Sequence, residues 1–236
     1  MATAHSQRSQ ARILPLGDQA LTVEFGDRID PALNDAVLAF SAALERLHLP
    51  GVEEVVPTYR SATVFFDPLT ITLEALTAQV RSLLARPAGK DRRSASSHTI
   101  PVLYGGHAGP DLADVATRAH LTPEQVVELH TSVSYRVYML GFSPGFPYLG
   151  TVPDALVMPR LATPRKLVLA GSVGLAGAQT GIYPQGSPGG WRIIGRTPVQ
   201  LFSAMRGKPF LLQPGDRVRF VPIDEAEFHD LSKDAR

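Results

Sequence analysis

Apolar residues in the first third of this 236-residue chain recur at helical spacing between short β-rich runs. From Ser134 onward the helical spacing fades and short runs follow one another directly. Leu33, Val37, Phe40, Leu44 and Leu47 share one helical face, which predicts a helix stopped by Pro50-Gly51. Asp30 is placed to cap it, and Pro31 takes the first position, where a missing N–H costs nothing. Residues 12–16 and 20–25 are predicted strands around the turn Gly17-Asp18, and 52–56 and 62–66 are two more. Leu73, Leu76, Val80 and Leu84 mark a second helix over roughly 73–84, ended by Pro87 and Gly89. Helices on one side of an antiparallel sheet make an α+β domain over 11–87, with a ferredoxin-like arrangement as the predicted topology.

The stretch 88–98 is charged, small and without apolar periodicity, and is predicted to be a linker. Beyond it, 100–104 is a predicted strand and 111–119 a helix. Thr122-Pro123-Glu124-Gln125 forms a capping box that starts a helix running to about His130. Short β-rich runs then occupy 135–140, 167–169, 171–176, 182–183, 191–194, 199–202, 210–212 and 218–221. Turn signals such as Ser187-Pro188-Gly189-Gly190 and Pro214-Gly215-Asp216 separate them. Many short strands at close spacing predict a closed or nearly closed, mainly-β barrel over 99–236, with a short capped helix at 224–231.

Composition narrows the classes of function. The net charge of +1 gives no electrostatic case for nucleic acid or membrane partners. With no cysteine, disulfides, thiolate nucleophiles and cysteine-ligated zinc are all excluded. Residues 1–10 are polar, predicted to be a disordered tail, and lack the apolar run of a signal peptide. No uninterrupted apolar segment is long enough to span a bilayer, so a soluble, cytoplasmic protein is expected. No histidine has H-E-x-x-H spacing: Glu128 and His130 stand two apart, and His98 and His107 flank a strand and turn. No metal site is expected.

One segment stands out chemically. Tyr138-Met139-Leu140-Gly141-Phe142-Ser143-Pro144-Gly145-Phe146-Pro147-Tyr148-Leu149-Gly150 is dense in aromatic residues, proline and glycine. Within it, Gly141 to Gly145 matches the G-x-S-x-G pattern of serine hydrolases. In that elbow the residue after the serine donates its backbone N–H to the oxyanion, and here it is Pro144, which has none. Ser143 is therefore not expected to be a nucleophile. The segment reads instead as a stiff loop placing Phe142, Pro144, Phe146 and Tyr148 at a pocket or a partner surface.

Further motifs accompany it in a fixed order. They include Ile100-Pro101-Val102-Leu103-Tyr104-Gly105-Gly106, Ala170-Gly171-Ser172-Val173-Gly174, Gln179-Thr180-Gly181-Ile182-Tyr183-Pro184, Ser187-Pro188-Gly189-Gly190-Trp191 and Ile194-Gly195-Arg196-Thr197-Pro198. From about Ile100 to Pro222 the chain resembles one family under several names: the B-type component of 5-oxoprolinase, the first component of allophanate hydrolase, and the Kip-type inhibitor of a sporulation histidine kinase. Its members carry a carboxyltransferase domain of subdomains C and D. One departure is Leu169, where the family pattern would place proline. The resemblance implies a cyclophilin-like barrel and a larger homologous partner, the C-type component. It also implies a separate A-type component, completing ATP-dependent cleavage of 5-oxoproline to glutamate. ATP with Mg²⁺ would then be the cofactor, bound together with the C-type partner. Inhibition of a histidine kinase and a carboxyltransferase role in urea or allophanate metabolism are the alternatives that the same family carries.

Phosphorylation of a lactam oxygen is catalysed mostly by positioning and charge neutralisation. Arg160, Arg165, Lys166, Arg192 and Arg196 supply basic side chains near the glycine-rich turns, and Gln179, Thr180 and Tyr183 supply polar groups for an amide or carboxylate. Arg165 is the favoured ligand contact. The run 171–181 lacks the G-K-[ST] of a P-loop, and its glycines suit either barrel turns or an anion cradle. Ala204-Met205 is followed by Arg206 where a biotinylated lysine would stand, so this chain is not expected to carry biotin. An amidase Gly-Gly-Ser-Ser-Gly segment is also missing.

Overall fold

Gly17 adopts a left-handed φ of 67°, which only glycine reaches without strain, and so turns β1 (Arg12–Pro15) back onto β2 (Ala20–Glu24) as a hairpin. The computed structural model describes residues 11–86 and 94–234. It divides into two compact units between Ser94 and Ala95. The expected tail 1–10, and residues 88–93 of the expected linker, lie outside the described residues.

In the first unit the hairpin is followed by α1 (Pro31–Arg46), β3 (Val52–Pro57), β4 (Ser61–Phe66) and α2 (Leu73–Ala85). Asp30 caps α1 as expected, its Oδ1 accepting the N–H groups of Ala32 at 2.8 Å and Leu33 at 3.2 Å. Alternate residues of β4 (Ala62, Val64, Phe66) meet Val37, Phe40 and Leu44 of α1 and Leu76 and Val80 of α2 in one core. The sheet is antiparallel throughout, in the order β1-β2-β4-β3. The element order is thus ββαββα, not the βαββαβ of the ferredoxin-like arrangement expected from the sequence. The tight turn at Gly17 is the reason: it joins the first two strands directly, leaving no room for a crossover helix between them.

The second unit contains β5 (Ser97–Tyr104), α3 (Leu112–Ala119), α4 (Pro123–Thr131), β6 (Ser134–Leu140), β7 (Pro147–Gly150), β8 (Arg165–Val168), β9 (Ser172–Ala176), β10 (Gln179–Ile182), β11 (Ser187–Gly189), β12 (Arg192–Arg196), β13 (Arg217–Pro222) and α5 (Glu225–Asp234). Seven of these strands close a barrel in the order β10-β7-β6-β13-β5-β12-β9. Only β13 and β5 run parallel. Ile100, Val102, Tyr135, Val137, Leu149, Val173, Leu175, Val218 and Phe220 fill its core. Strands β8 and β11 pair with each other as a separate ribbon.

The predicted strands 199–202 and 210–212 do not form ladders. Leu201 and Leu212 are buried as their hydrophobicity demands, but only an isolated bridge joins Phe202 to Phe210. Pro198 and Pro209 beside them carry no N–H to extend a ladder. Among the described residues, no helix is long and apolar enough to cross a membrane.

Candidate functional site

The loop from Gly141 to Phe146 folds on itself between β6 and β7. Gly141 N–H donates to the Phe146 carbonyl at 3.1 Å, and Phe146 N–H donates to the Ser143 carbonyl at 3.0 Å. Phe142 holds a left-handed φ of 66° and stays 65% exposed, an unfavourable conformation for a bulky residue that its surroundings must hold in place. The Ser143 hydroxyl is enclosed and has no hydrogen-bond partner. It is not presented to solvent.

Phe146 is the hub of a second, smaller core outside the barrel interior. Its ring makes edge contacts with Phe142 at 5.5 Å, Tyr148 at 5.0 Å, Tyr183 at 5.1 Å and Trp191 at 5.4 Å between centroids. Phe146 is thus buried structure, while Phe142 and half-buried Tyr148 form the outer face and Pro144 sits exposed at the loop tip. Glycine is required at the back of this cluster. A Cβ on Gly181 would stand 2.9 Å from Trp191 and 3.0 Å from the Pro147 carbonyl.

The arginines separate into different roles. Arg165 forms a two-point salt bridge with Asp111, at 2.9 and 2.7 Å. Asp111 also accepts the Ile193 N–H at 2.6 Å, so it ties the ribbon to β12 at the start of α3. Arg192 is buried; its Nε donates to the Pro159 carbonyl at 3.0 Å and its Nη1 to Asp114. On the other side of Arg160, Leu161 N–H donates to the Gly190 carbonyl at 2.8 Å. The backbone of Arg160 is therefore pinned at both neighbours, while its side chain is exposed and has no ion pair or hydrogen bond among the described residues. Its charge reaches the phenols. Burial raises the pKa of both Tyr148 and Tyr183, and Arg160 opposes that rise at each, as do the Trp191 N–H and Arg165 at Tyr183.

Phe142, Tyr148, Tyr183, Arg160 and Arg165 therefore belong to one neighbourhood. Lys166 is exposed on the same ribbon, and Gln179 is half-buried at the start of β10. Thr180, expected as a ligand contact, faces the barrel core instead. Its Oγ1 donates to the Gly174 carbonyl at 3.1 Å and accepts from His130 Nε2 at 2.9 Å. His130 is fully buried, takes the Tyr104 hydroxyl on Nδ1 at 2.8 Å, and stacks on Phe220 at 4.6 Å. Burial lowers its pKa to about 3, so it stays neutral with the proton on Nε2. Arg192, another expected contact, is consumed internally, and Arg196 stands apart at the far end of β12 against Phe228.

Sequence pattern does not single out Asp111, Asp114 or Trp191 for this neighbourhood. No local signal links the two acids to arginines 54 and 78 positions away. Among the described residues, no group of three or more histidine, aspartate or glutamate side chains is placed to hold a metal ion.

The family model described as carboxyltransferase domain, subdomain C and D, matches residues 11–212. The chain belongs to this carboxyltransferase-domain family. Among its relatives, the B-type 5-oxoprolinase component of Bacillus subtilis is 41% identical over 234 residues, covering 95% of this chain and 98% of the relative. The solved structure of TTHA0988 superposes with a TM-score of 0.79 at 40% identity, over 87% of this chain. This chain spans only 40% of the length of that protein. The Kluyveromyces lactis urea carboxylase structure shares the fold, with a TM-score of 0.75 at 20% identity over 95% of this chain and 23% of the larger one. The fold of this chain is thus shared with both of these structures.

Proposed function

We propose that this chain is the B-type component of an ATP-dependent 5-oxoprolinase, catalytically incomplete alone. The observation that carries this reading is the end-to-end similarity to a B-type 5-oxoprolinase component. With a C-type partner it would activate the lactam, and an A-type component would complete ring opening. The overall reaction consumes 5-oxoproline, ATP and two waters and yields glutamate, ADP and phosphate. The same reading takes the barrel as cyclophilin-like and the protein as cytoplasmic.

The lactam is resonance-stabilised, so water does not open it readily. Transfer of the γ-phosphoryl group to the amide oxygen makes the ring carbon electrophilic. Water then adds to that carbon, the ring C–N bond breaks with the nitrogen leaving as the amine, and a second water releases phosphate from the resulting acyl phosphate. Arg160 is the cation suited to the substrate carboxylate or to the developing phosphoryl charge, because its backbone is pinned and its guanidinium is unspent. The half-buried ring of Tyr148 suits a small planar ring, with Tyr183 fully buried behind the cluster. Arg165 contributes charge from behind, anchored on Asp111. Among the described residues no acid or histidine cluster is placed to hold a resident magnesium ion, and Asp111 and Asp114 are engaged by arginines. Magnesium would arrive on the nucleotide, held with the partner.

Co-expression with the C-type and A-type components, followed by measurement of glutamate and ADP from 5-oxoproline, tests the proposal. Coupled formation of both is the expected result. No turnover in the complete mixture, together with inhibition of a sensor histidine kinase by the purified chain, would overturn it.

A further inference from the structure

We propose that a cleft between α5 and the segment after β12 is a second ligand site, taking a small molecule with an oxyanion group, phosphate or carboxylate. The cleft has a volume of about 390 Å³ and lies beside Pro184, with Arg196, Gln200, Phe228 and His229 on its walls. It shares no side chain with the aromatic site.

Three features make it a built site. Arg196 donates from Nε to the Ala170 carbonyl at 2.8 Å, which orients the guanidinium. Its terminal nitrogens have no partner among the described residues, and the Phe228 ring lies 5.9 Å from its Cζ. An oriented guanidinium with free N–H groups is the standard receptor for a bidentate oxyanion. The Gln200 carboxamide is held as well: Arg206 donates to its Oε1 at 3.1 Å, which leaves the amide N–H₂ as the free donor. Three acids of α5 have partners of their own. Glu227 accepts the Asp224 N–H at 3.1 Å, Asp230 pairs with Lys233 at 3.0 Å, and Glu225 faces His107 at 3.9 Å.

The wall behind Arg196 also depends on glycine. Gly171 has a φ of 83°, and a Cβ there would fall 2.2 Å from the Thr197 carbonyl. The Gly171 N–H donates to the Tyr183 carbonyl at 2.7 Å, so this wall and the Tyr183 main chain are joined. Ligand in the cleft therefore braces the strand segment that presents Tyr183.

The test titrates inorganic phosphate, and separately acetate, into the isotopically labelled full-length Arg160→Gln protein, so that the aromatic site does not contribute. Backbone amides of Gly171, Thr197 and His229 are followed by NMR. Saturable shifts in the millimolar range are expected with at least one anion. They should be lost in Arg196→Gln and weakened several-fold in His229→Ala, whose exposed position leaves the fold untouched. A phosphate-only response assigns a phosphorylated ligand, and an acetate response a carboxylate. No saturable shift with either anion, or shifts that persist at full strength in both variants, overturns the site. Oxoprolinase turnover plays no part in this readout, so its outcome is independent of the proposed function.

Discussion

Arg165 and Asp111 bind each other at two points, Nη2 to Oδ1 at 2.7 Å and Nη1 to Oδ2 at 2.9 Å, across 54 positions of sequence. Because Asp111 also holds the Ile193 N–H, the pair fastens the β8–β11 ribbon to the barrel. Asp111→Ala leaves a buried N–H unpaired and Arg165 without its counter-charge. It should cost about 2 kcal/mol in denaturant unfolding, a figure discounted because Arg165 is partly exposed. Arg165→Ala should destabilise as well, and Arg165→Lys should not restore stability, since an ammonium cannot make the two-point contact. Unchanged unfolding midpoints would show that the bridge holds nothing.

Arg160 is expected to behave in the opposite way. Its side chain is exposed and makes no internal bond among the described residues, so Arg160→Ala should leave the thermal midpoint where it is. In the assembled complex the same change should lower kcat/KM by roughly tenfold to a hundredfold, the loss of one charge-assisted contact. A stable variant with wild-type kinetics would remove Arg160 from the site.

Local signals in the chain were sufficient for most elements and insufficient for the site. The Thr122–Gln125 capping box forms with both of its hydrogen bonds, at 2.9 and 3.3 Å, because every group that it needs lies within four residues. Strands β7 and β11 give no local strand signal because they contain Pro147 and Pro188-Gly189, residues that strand propensity disfavours. Their ladders are supplied by partners elsewhere in the chain. Thr180 and Arg192 looked like ligand contacts because polar residues beside glycines suit a binding turn. Both are satisfied instead by His130 and Asp114, whose proximity arises only from barrel closure.

His130 should make stability depend on pH. Its pKa is about 3 in the fold, against 6.5 for the ordinary side chain. Below pH 6.5 the unfolded chain binds a proton that the folded chain refuses, so the contribution of this group to stability is complete above that value and is lost as pH falls toward 3. The loss should approach about 1.4 kcal/mol per pH unit inside that window. His130→Asn removes the titration. The gap in stability between wild type and variant, measured by urea unfolding at pH 7, 5.5 and 4.5, should narrow as pH falls. A constant gap would mean that His130 takes up a proton without penalty in the fold.

Trp191 is the only tryptophan, so its fluorescence reports directly on the aromatic cluster. Gly181 lies against it, with space for a hydrogen and not for a methyl group. Gly181→Ala forces its new Cβ against Trp191, Phe146 and the Pro147 carbonyl, of which the carbonyl belongs to the β7 backbone and yields least. The ring of Trp191 must therefore shift, and with it the edge contacts through Phe146 that hold Tyr148 and Tyr183. The expected result is an altered Trp191 emission spectrum and a loss of about 1–3 kcal/mol from overpacking. The N-terminal unit supplies the control: Leu76→Ala removes a buried side chain from the other core, and should destabilise that unit while leaving the native Trp191 emission unchanged.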